Sequence, residues 1–129
     1  MKRKQLFLLL AFIALAFVSK AQTDTTAKLQ DAQNLWATYN SGDPNDTTVF
    51  AAIYADCTSV LVVDSTNARA NQSLGDVYNF FANYWLNQAQ PLKVSNPSLY
   101  NSYLLESNNY SALAAPYLQR YLRIKGISN

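Results

Sequence analysis

The chain has 129 residues, of which 50% are hydrophobic and 14% are charged, with ten Lys and Arg residues against eight Asp and Glu residues. This length fits one domain, and the abundance of apolar residues excludes a disordered chain. The single Cys excludes an internal disulfide framework, and the absence of His excludes a Ser-His-Asp hydrolase and a His-ligated metal centre.

The first segment is typical of an export signal. Three basic residues at positions 2–4 precede an uncharged apolar run of 13 residues, Leu6–Val18. A bilayer span needs about 20 apolar residues, so the run is too short for a membrane anchor. Ser19 and Ala21 then place small residues where a signal peptidase reads the chain. The segment resembles the signal peptides of exported proteins of Bacteroidota-type bacteria, and we predict cleavage after Ala21.

Removal of this segment reverses the charge balance. Residues 22–129 keep six basic and eight acidic residues, a net charge of −2. Nucleic-acid binding depends on a basic surface, so we predict no nucleic-acid partner. We expect residues 22–129 to form a single α-helical domain without a stable membrane span, in the periplasm or cell envelope or secreted.

Helical periodicity runs through the whole of this region. Apolar residues spaced i, i+3, i+4 and i+7 predict helices over residues 26–40, 47–63 and 67–89. Residues 40–42, which include Gly42, are expected to end the first helix, and a turn at residues 43–46 separates it from the second. Capping residues around Asn67 start the third helix, and Pro91 ends or kinks it.

The last third of the chain predicts two further helices. Asn96 and Pro97 have the residue types of an N-cap and a first helical position, so a fourth helix starts there. The polar run at residues 107–109 is expected to end it, and a fifth helix then runs from Tyr110 to Gly126. About five antiparallel helices joined by short polar loops predict an all-α fold.

The region from Ile53 to Tyr78 resembles the junction between two tetratricopeptide repeats. An apolar helix is followed by a polar turn and Ala68, and Leu74 and Gly75 then fall in the register of the next repeat. The resemblance implies stacked helical hairpins in which a small residue such as Gly75 lets two helices approach closely. Asn71 departs from the pattern, since an aromatic residue is common there. Another small α-helical bundle is the alternative.

The resemblance also implies a binding site, because the first helix of each repeat lines a concave groove in this family. By register, the groove residues of the third helix are Arg69, Gln72, Asp76, Asn79 and Phe80. They share one helical face, and a polar face with one Arg and one exposed aromatic side chain suits peptide recognition. An ordinary solvated face is the alternative.

The remaining residue chemistry favours a protein that is not an enzyme. Cys57 lies on the apolar stripe of the second helix and has no His to activate it, so we expect a buried structural thiol. No phosphate loop, dinucleotide fingerprint or cluster with metal-ligand spacing occurs in the sequence. We therefore predict no catalytic residues, no cofactor and no metal.

These observations predict an exported adaptor or scaffold that binds a peptide or a partner helix in a groove between helix pairs. One alternative is a structural subunit of an envelope assembly, which self-associates through the C-terminal helix. Another is a glycan-binding protein that uses the nine Tyr and two Trp residues, although core filling is the favoured explanation of the Tyr residues. Arg120, Arg123 and Lys125 stabilise a helix C-terminus, and an anion or lipid site is the alternative there.

Overall fold

The computed structural model describes residues 24–37, residue 39 and residues 47–127. Within these ranges the chain forms five helices and no strand, which confirms the predicted all-α fold. The helices are α1 (24–37), α2 (Thr47–Val63), α3 (Ala68–Ala89), α4 (Leu92–Ser95) and α5 (Pro97–Lys125). None of the described helices is long and apolar enough to cross a membrane. The predicted signal segment, the expected helix end at 40–42 and the turn at 43–46 lie outside the described residues.

The helix ends that the structure describes follow from local capping chemistry. Asn67 and Asn96 each accept a hydrogen bond from a first-turn backbone N–H, at 3.0 and 3.2 Å, and Pro97 occupies the first turn of α5. Gly126 ends α5 in the left-handed conformation, with φ 68°. All three ends were predicted by residue type, because a cap depends on neighbouring backbone alone.

The predicted division of the last third into two helices is wrong. α5 continues through residues 107–109 and past Pro116, which is exposed inside the helix. Ser107 is buried, and its hydroxyl donates a 2.8 Å hydrogen bond to the Ala82 carbonyl of α3. Packing along α3 therefore outweighs the low helix propensity of this polar run. The additional helix is α4, a single turn that follows Pro91.

α3 and α5 form an antiparallel pair joined by a row of aromatic rings. The ring pairs are Tyr78–Tyr117, Phe81–Tyr110 and Trp85–Tyr103, with centroids 6.0, 5.2 and 5.0 Å apart. The residue numbers rise along α3 as they fall along α5, so the two helices run in opposite directions. Three Tyr residues of α5 thus fill space within the molecule, as the core-filling interpretation predicts.

The apolar core lies between α1, α2 and the other face of α3. Its buried residues are Leu29, Ala32, Phe50, Ile53, Cys57, Val60, Ala70, Leu74 and Val77. Phe50 lies at the centre of an aromatic cluster, with ring centroids 4.5 Å from Tyr39 and 5.0 Å from Phe80. α3 therefore has two packed faces and is the central helix.

α3 and α5 approach each other closely at Gly75. A methyl group at this position would overlap the side chain of Leu118, whose Cγ lies 2.5 Å from the Cβ site. The small residue is required here by space, since Gly75 itself has ordinary helical geometry. The expectation that Gly75 lets two helices approach closely is confirmed.

Buried Asn71 connects three helix termini at one end of the bundle. Its Nδ2 donates to the carbonyl oxygens of Ser65 and Asn67, at 3.2 and 2.9 Å. Its Oδ1 accepts a 3.2 Å hydrogen bond from Arg120 of α5. A buried amide is stable when its groups are paired, and this one is paired on both sides. The C-terminus of α2, the N-terminus of α3 and the C-terminus of α5 therefore lie together.

We expect Gly75→Ala to lower the free energy of unfolding. Overpacking a close helix contact costs about 1–3 kcal/mol, which exceeds the ~1 kcal/mol by which Ala is favoured over Gly inside a helix. Urea unfolding followed by circular dichroism measures the change. The control is the same substitution in a Leu118→Ala background, where the cost should be much smaller. Equal costs in both backgrounds would contradict the close approach.

Candidate functional site

A cavity of about 550 Å³ lies between α1 and α3, with Ile53 of α2 also in its lining. Its polar and aromatic lining residues are Gln33, Asn34 and Trp36 from α1 and Arg69, Gln72, Ser73 and Asp76 from α3. We call this cavity the α1–α3 groove. Its walls are two helices that both pack on α2 in the core, so packing of α1, α2 and α3 fixes the shape of the groove.

The structure brings three of the five predicted site residues together. Arg69, Gln72 and Asp76 line the α1–α3 groove and are exposed. Asn79 and Phe80 lie further along α3, beyond the lining. Phe80 is half-buried, with its ring stacked on Phe50, so the expectation of an exposed aromatic side chain at this position is wrong.

The α1 wall was not predicted, although it supplies three of the seven polar and aromatic lining residues. Trp36 belongs to the predicted apolar stripe of the first helix, and a stripe residue is normally expected in the core. Its side chain is 40% exposed at the groove. The repeat resemblance could have predicted this wall, because the resemblance implies that the first helix of each hairpin lines the groove.

Trp36 is held in place on one side and open on the other. Its ring makes edge-to-face contacts with Phe50 and Phe80, at centroid distances of 5.9 and 6.1 Å. Such contacts fix the orientation of the indole before any ligand arrives. The Trp36 ring is therefore a preorganised apolar surface at the edge of a polar groove.

The α3 wall carries opposite charges about two turns apart. Arg69 and Asp76 are seven residues apart, which corresponds to about 10 Å along a helix axis. Desolvation by the surrounding protein raises the pKa of the Asp76 carboxyl above its ordinary value. Between the charges, the Gln72 amide can both donate and accept hydrogen bonds. The wall thus offers complementary partners to a ligand with alternating polar groups.

Cys57 lies behind the groove as an inert part of the core. It is fully buried and forms no disulfide, which confirms the expectation of a structural thiol. Burial raises the pKa of the thiol from 9.0 to about 11, with a smaller contribution from the charge of Asp56. A hydrogen bond with Ser73 acts in the opposite direction. At neutral pH the thiol is protonated and is a poor nucleophile.

Asp56 and Asp31 form a carboxyl pair between α2 and α1. Desolvation raises the pKa of Asp56, and the hydrogen bond and negative charge of Asp31 raise it further, while Lys28 lowers it. In the part of the chain that the structure describes, no three Asp, Glu, Cys or His residues are grouped so that they could hold a metal ion.

We expect Cys57 to make the protein less stable in alkaline solution. The folded thiol has the higher pKa, so its contribution is complete below about pH 9 and is lost as the pH rises towards 11. At 1.36 kcal/mol per pKa unit, the loss is about 2–3 kcal/mol over this range. Urea unfolding at a series of pH values measures the slope, and Cys57→Ala should flatten it. Equal slopes in the two proteins would contradict the raised pKa.

Comparison with known proteins places the chain in no family. No protein-family model matches it, and no curated protein and no solved structure matches it either. The interpretation of the groove therefore depends on the residues of this chain alone.

Proposed function

We propose that the chain is an exported, non-catalytic interaction module that binds a peptide or a partner helix in the α1–α3 groove. The observation that carries the proposal is the groove itself, which combines a preorganised indole, amides and two opposite charges in about 550 Å³. Interfaces obtain most of their binding energy from a few Trp, Tyr and Arg anchors, and Trp36 and Arg69 supply such anchors here.

The arrangement of helices supports a tetratricopeptide-like organisation. α1 with α2 and α3 with α5 make two antiparallel hairpins, and the groove lies between the first helices of the two. The Gly75–Leu118 approach is within the second hairpin, where the repeat pattern requires a small residue. We propose both this tetratricopeptide-like organisation and the export signal at residues 1–21.

The groove chemistry suits recognition of an extended polypeptide. A peptide backbone presents alternating donors and acceptors, and the amides of Gln33 and Gln72 can satisfy both kinds. Asn34 adds a side chain that Gln30 already orients through a 3.1 Å hydrogen bond to its Oδ1. An apolar ligand side chain would pack on Trp36, while Arg69 and Asp76 set the direction of the ligand.

The same lining supports a non-catalytic role. Asp76 is the one carboxylate among the residues that line the groove, whereas hydrolysis by paired carboxylates needs two. The nearby thiol of Cys57 is buried and protonated at neutral pH, so it is not available as a nucleophile. What remains in the groove is suited to hydrogen bonding and packing.

A structural subunit is the second candidate, and exposed Leu residues on α5 favour it. Leu105 and Leu113 are 59% and 49% exposed on the last long helix. A further helical hairpin would cover such residues in a repeat stack. Sedimentation velocity distinguishes this candidate from the interaction module. A stable oligomer that dissociates in the variant with Leu105→Ser and Leu113→Ser would favour the structural subunit.

The groove is tested by peptide selection against the immobilised protein, followed by calorimetric titration of the selected peptides. The test variant carries Arg69→Ala, Gln72→Ala and Asp76→Ala, all exposed on the groove wall. We expect affinity to fall at least tenfold, since loss of a hot-spot side chain costs about 2 kcal/mol or more and tenfold corresponds to about 1.4 kcal/mol.

The matched control carries Asn83→Ala, Asn87→Ala and Gln88→Ala, which are exposed polar residues of the same helix outside the groove. It should bind the selected peptides as the unmodified protein does. Peptides that bind the groove variant undiminished, or a library that yields no binder, would overturn the proposal. A glycan array probed with the same three proteins shows whether the groove takes a carbohydrate instead.

A further inference from the structure

One end of the bundle combines exposed apolar side chains with cations. The surface consists of Val62 and Val63 at the end of α2, and of Arg123, Ile124, Lys125 and Ile127 at the end of α5. The hydrogen bonds of Asn71 bring these two termini together, although about 60 residues of sequence separate them. We call this surface the basic end.

The apolar residues of the basic end are exposed to an unusual degree. Val62 is 83% and Val63 is 60% exposed, and Ile127 is 53% exposed. Isolated exposed apolar residues are ordinary on protein surfaces. Several of them on adjacent helix termini, surrounded by charged groups, indicate an interaction surface.

The charges of the described residues are divided between the basic end and the rest of the bundle. α1 begins at this end, because Asp31 meets Asp56 while Trp36 contacts Phe50, so α1 and α2 run in opposite directions. Within five residues of these helix ends lie all basic residues of α1, α3 and α5, five cations against the carboxylates of Asp24 and Asp64, a net charge of +3. The other described charges are Lys93 and four carboxylates, a net charge of −3.

We propose that the basic end docks on an anionic lipid bilayer. The Val and Ile side chains would enter the boundary between headgroups and acyl chains, and Arg123 and Lys125 would contact lipid phosphates. Long cationic side chains suit this position, because their stems lie on apolar surface while their charges stay at the headgroups. Docking of this kind is peripheral and needs no spanning helix.

Charge complementarity selects this occupant over a second copy of the chain. Two basic ends that faced each other would bring a net charge of +3 against +3, which opposes association. At a membrane, anionic headgroups repel the acidic remainder of the bundle, so this part of the molecule faces away from the bilayer. The charge division therefore sets an orientation as well as an affinity, in which the Arg69 end of the α1–α3 groove is nearest the membrane and the Trp36 end is furthest from it.

The proposal is tested by flotation with lipid vesicles, using the chain from Gln22 onward. The first 21 residues are omitted because the apolar run Leu6–Val18 would itself enter a bilayer. All buried core residues that the structure describes lie between Leu29 and Ala114, so the shorter chain keeps them. Vesicles of phosphatidylcholine alone are compared with vesicles that also contain phosphatidylglycerol. We expect binding to the anionic vesicles, and loss of binding as salt is added, because screening weakens the attraction.

Three variants separate the contributions of charge and apolar area. Arg123→Gln with Lys125→Gln should lower the partition coefficient about 30-fold, at ~1 kcal/mol per cation near an anionic surface. Arg123→Lys should keep nearly full binding, because it preserves the charge. Val62→Ser with Ile127→Ser should weaken binding without changing its salt dependence. Circular dichroism verifies that each variant remains helical.

The matched control is Lys93→Gln with Val94→Ser on α4, at the opposite end of α3. It removes one exposed cation and one apolar side chain that is 91% exposed. The control should bind anionic vesicles as the unmodified protein does. Equal binding to neutral and anionic vesicles, absence of binding to both, or equal losses in the control and the end variants would overturn the proposal. Because the groove residues are unchanged throughout, either proposal can fail without the other.

Discussion

The close approach of α3 and α5 at Gly75 is the constraint on which the rest of the structure depends. It brings the two longest helices near enough for their aromatic rings to stack and for Ser107 to reach a carbonyl of α3. It also places Arg120 within hydrogen-bonding distance of Asn71. With one face of α3 held by α5, the opposite face is left to form the core with α1 and α2.

The helix ends could be predicted from sequence because their causes are local. Asn67, Asn96 and Gly126 act through the backbone within a few residues of themselves, and their residue types are sufficient to identify them. The same is true of the stripe that contains Cys57, where periodicity alone predicts burial.

The sequence predictions that were wrong concern residues whose conformation or exposure depends on contacts with another helix. Ser107 belongs to a run with poor helix propensity, and only its hydrogen bond to Ala82 explains why α5 continues through it. Phe80 has the right register for the groove, but the rings of α1 and α2 turn it into the core. Trp36 has the register of a core residue and is exposed. For both aromatic residues the neighbouring helix decides exposure, and periodicity within one helix does not contain that information.

The antiparallel pairing of α3 and α5 has a consequence for the order of folding. Contacts between the two helices span 18 residues at Trp85–Tyr103, 25 at Ala82–Ser107 and 49 at Asn71–Arg120. Loop closure is entropically easier for the shorter spans, so we expect the pair to form first beside α4 and to close last at Asn71. The end that closes last also opens first when the native state fluctuates. Amide hydrogens near the C-terminus of α5 should therefore exchange with solvent faster than those beside α4, even though both belong to one continuous helix.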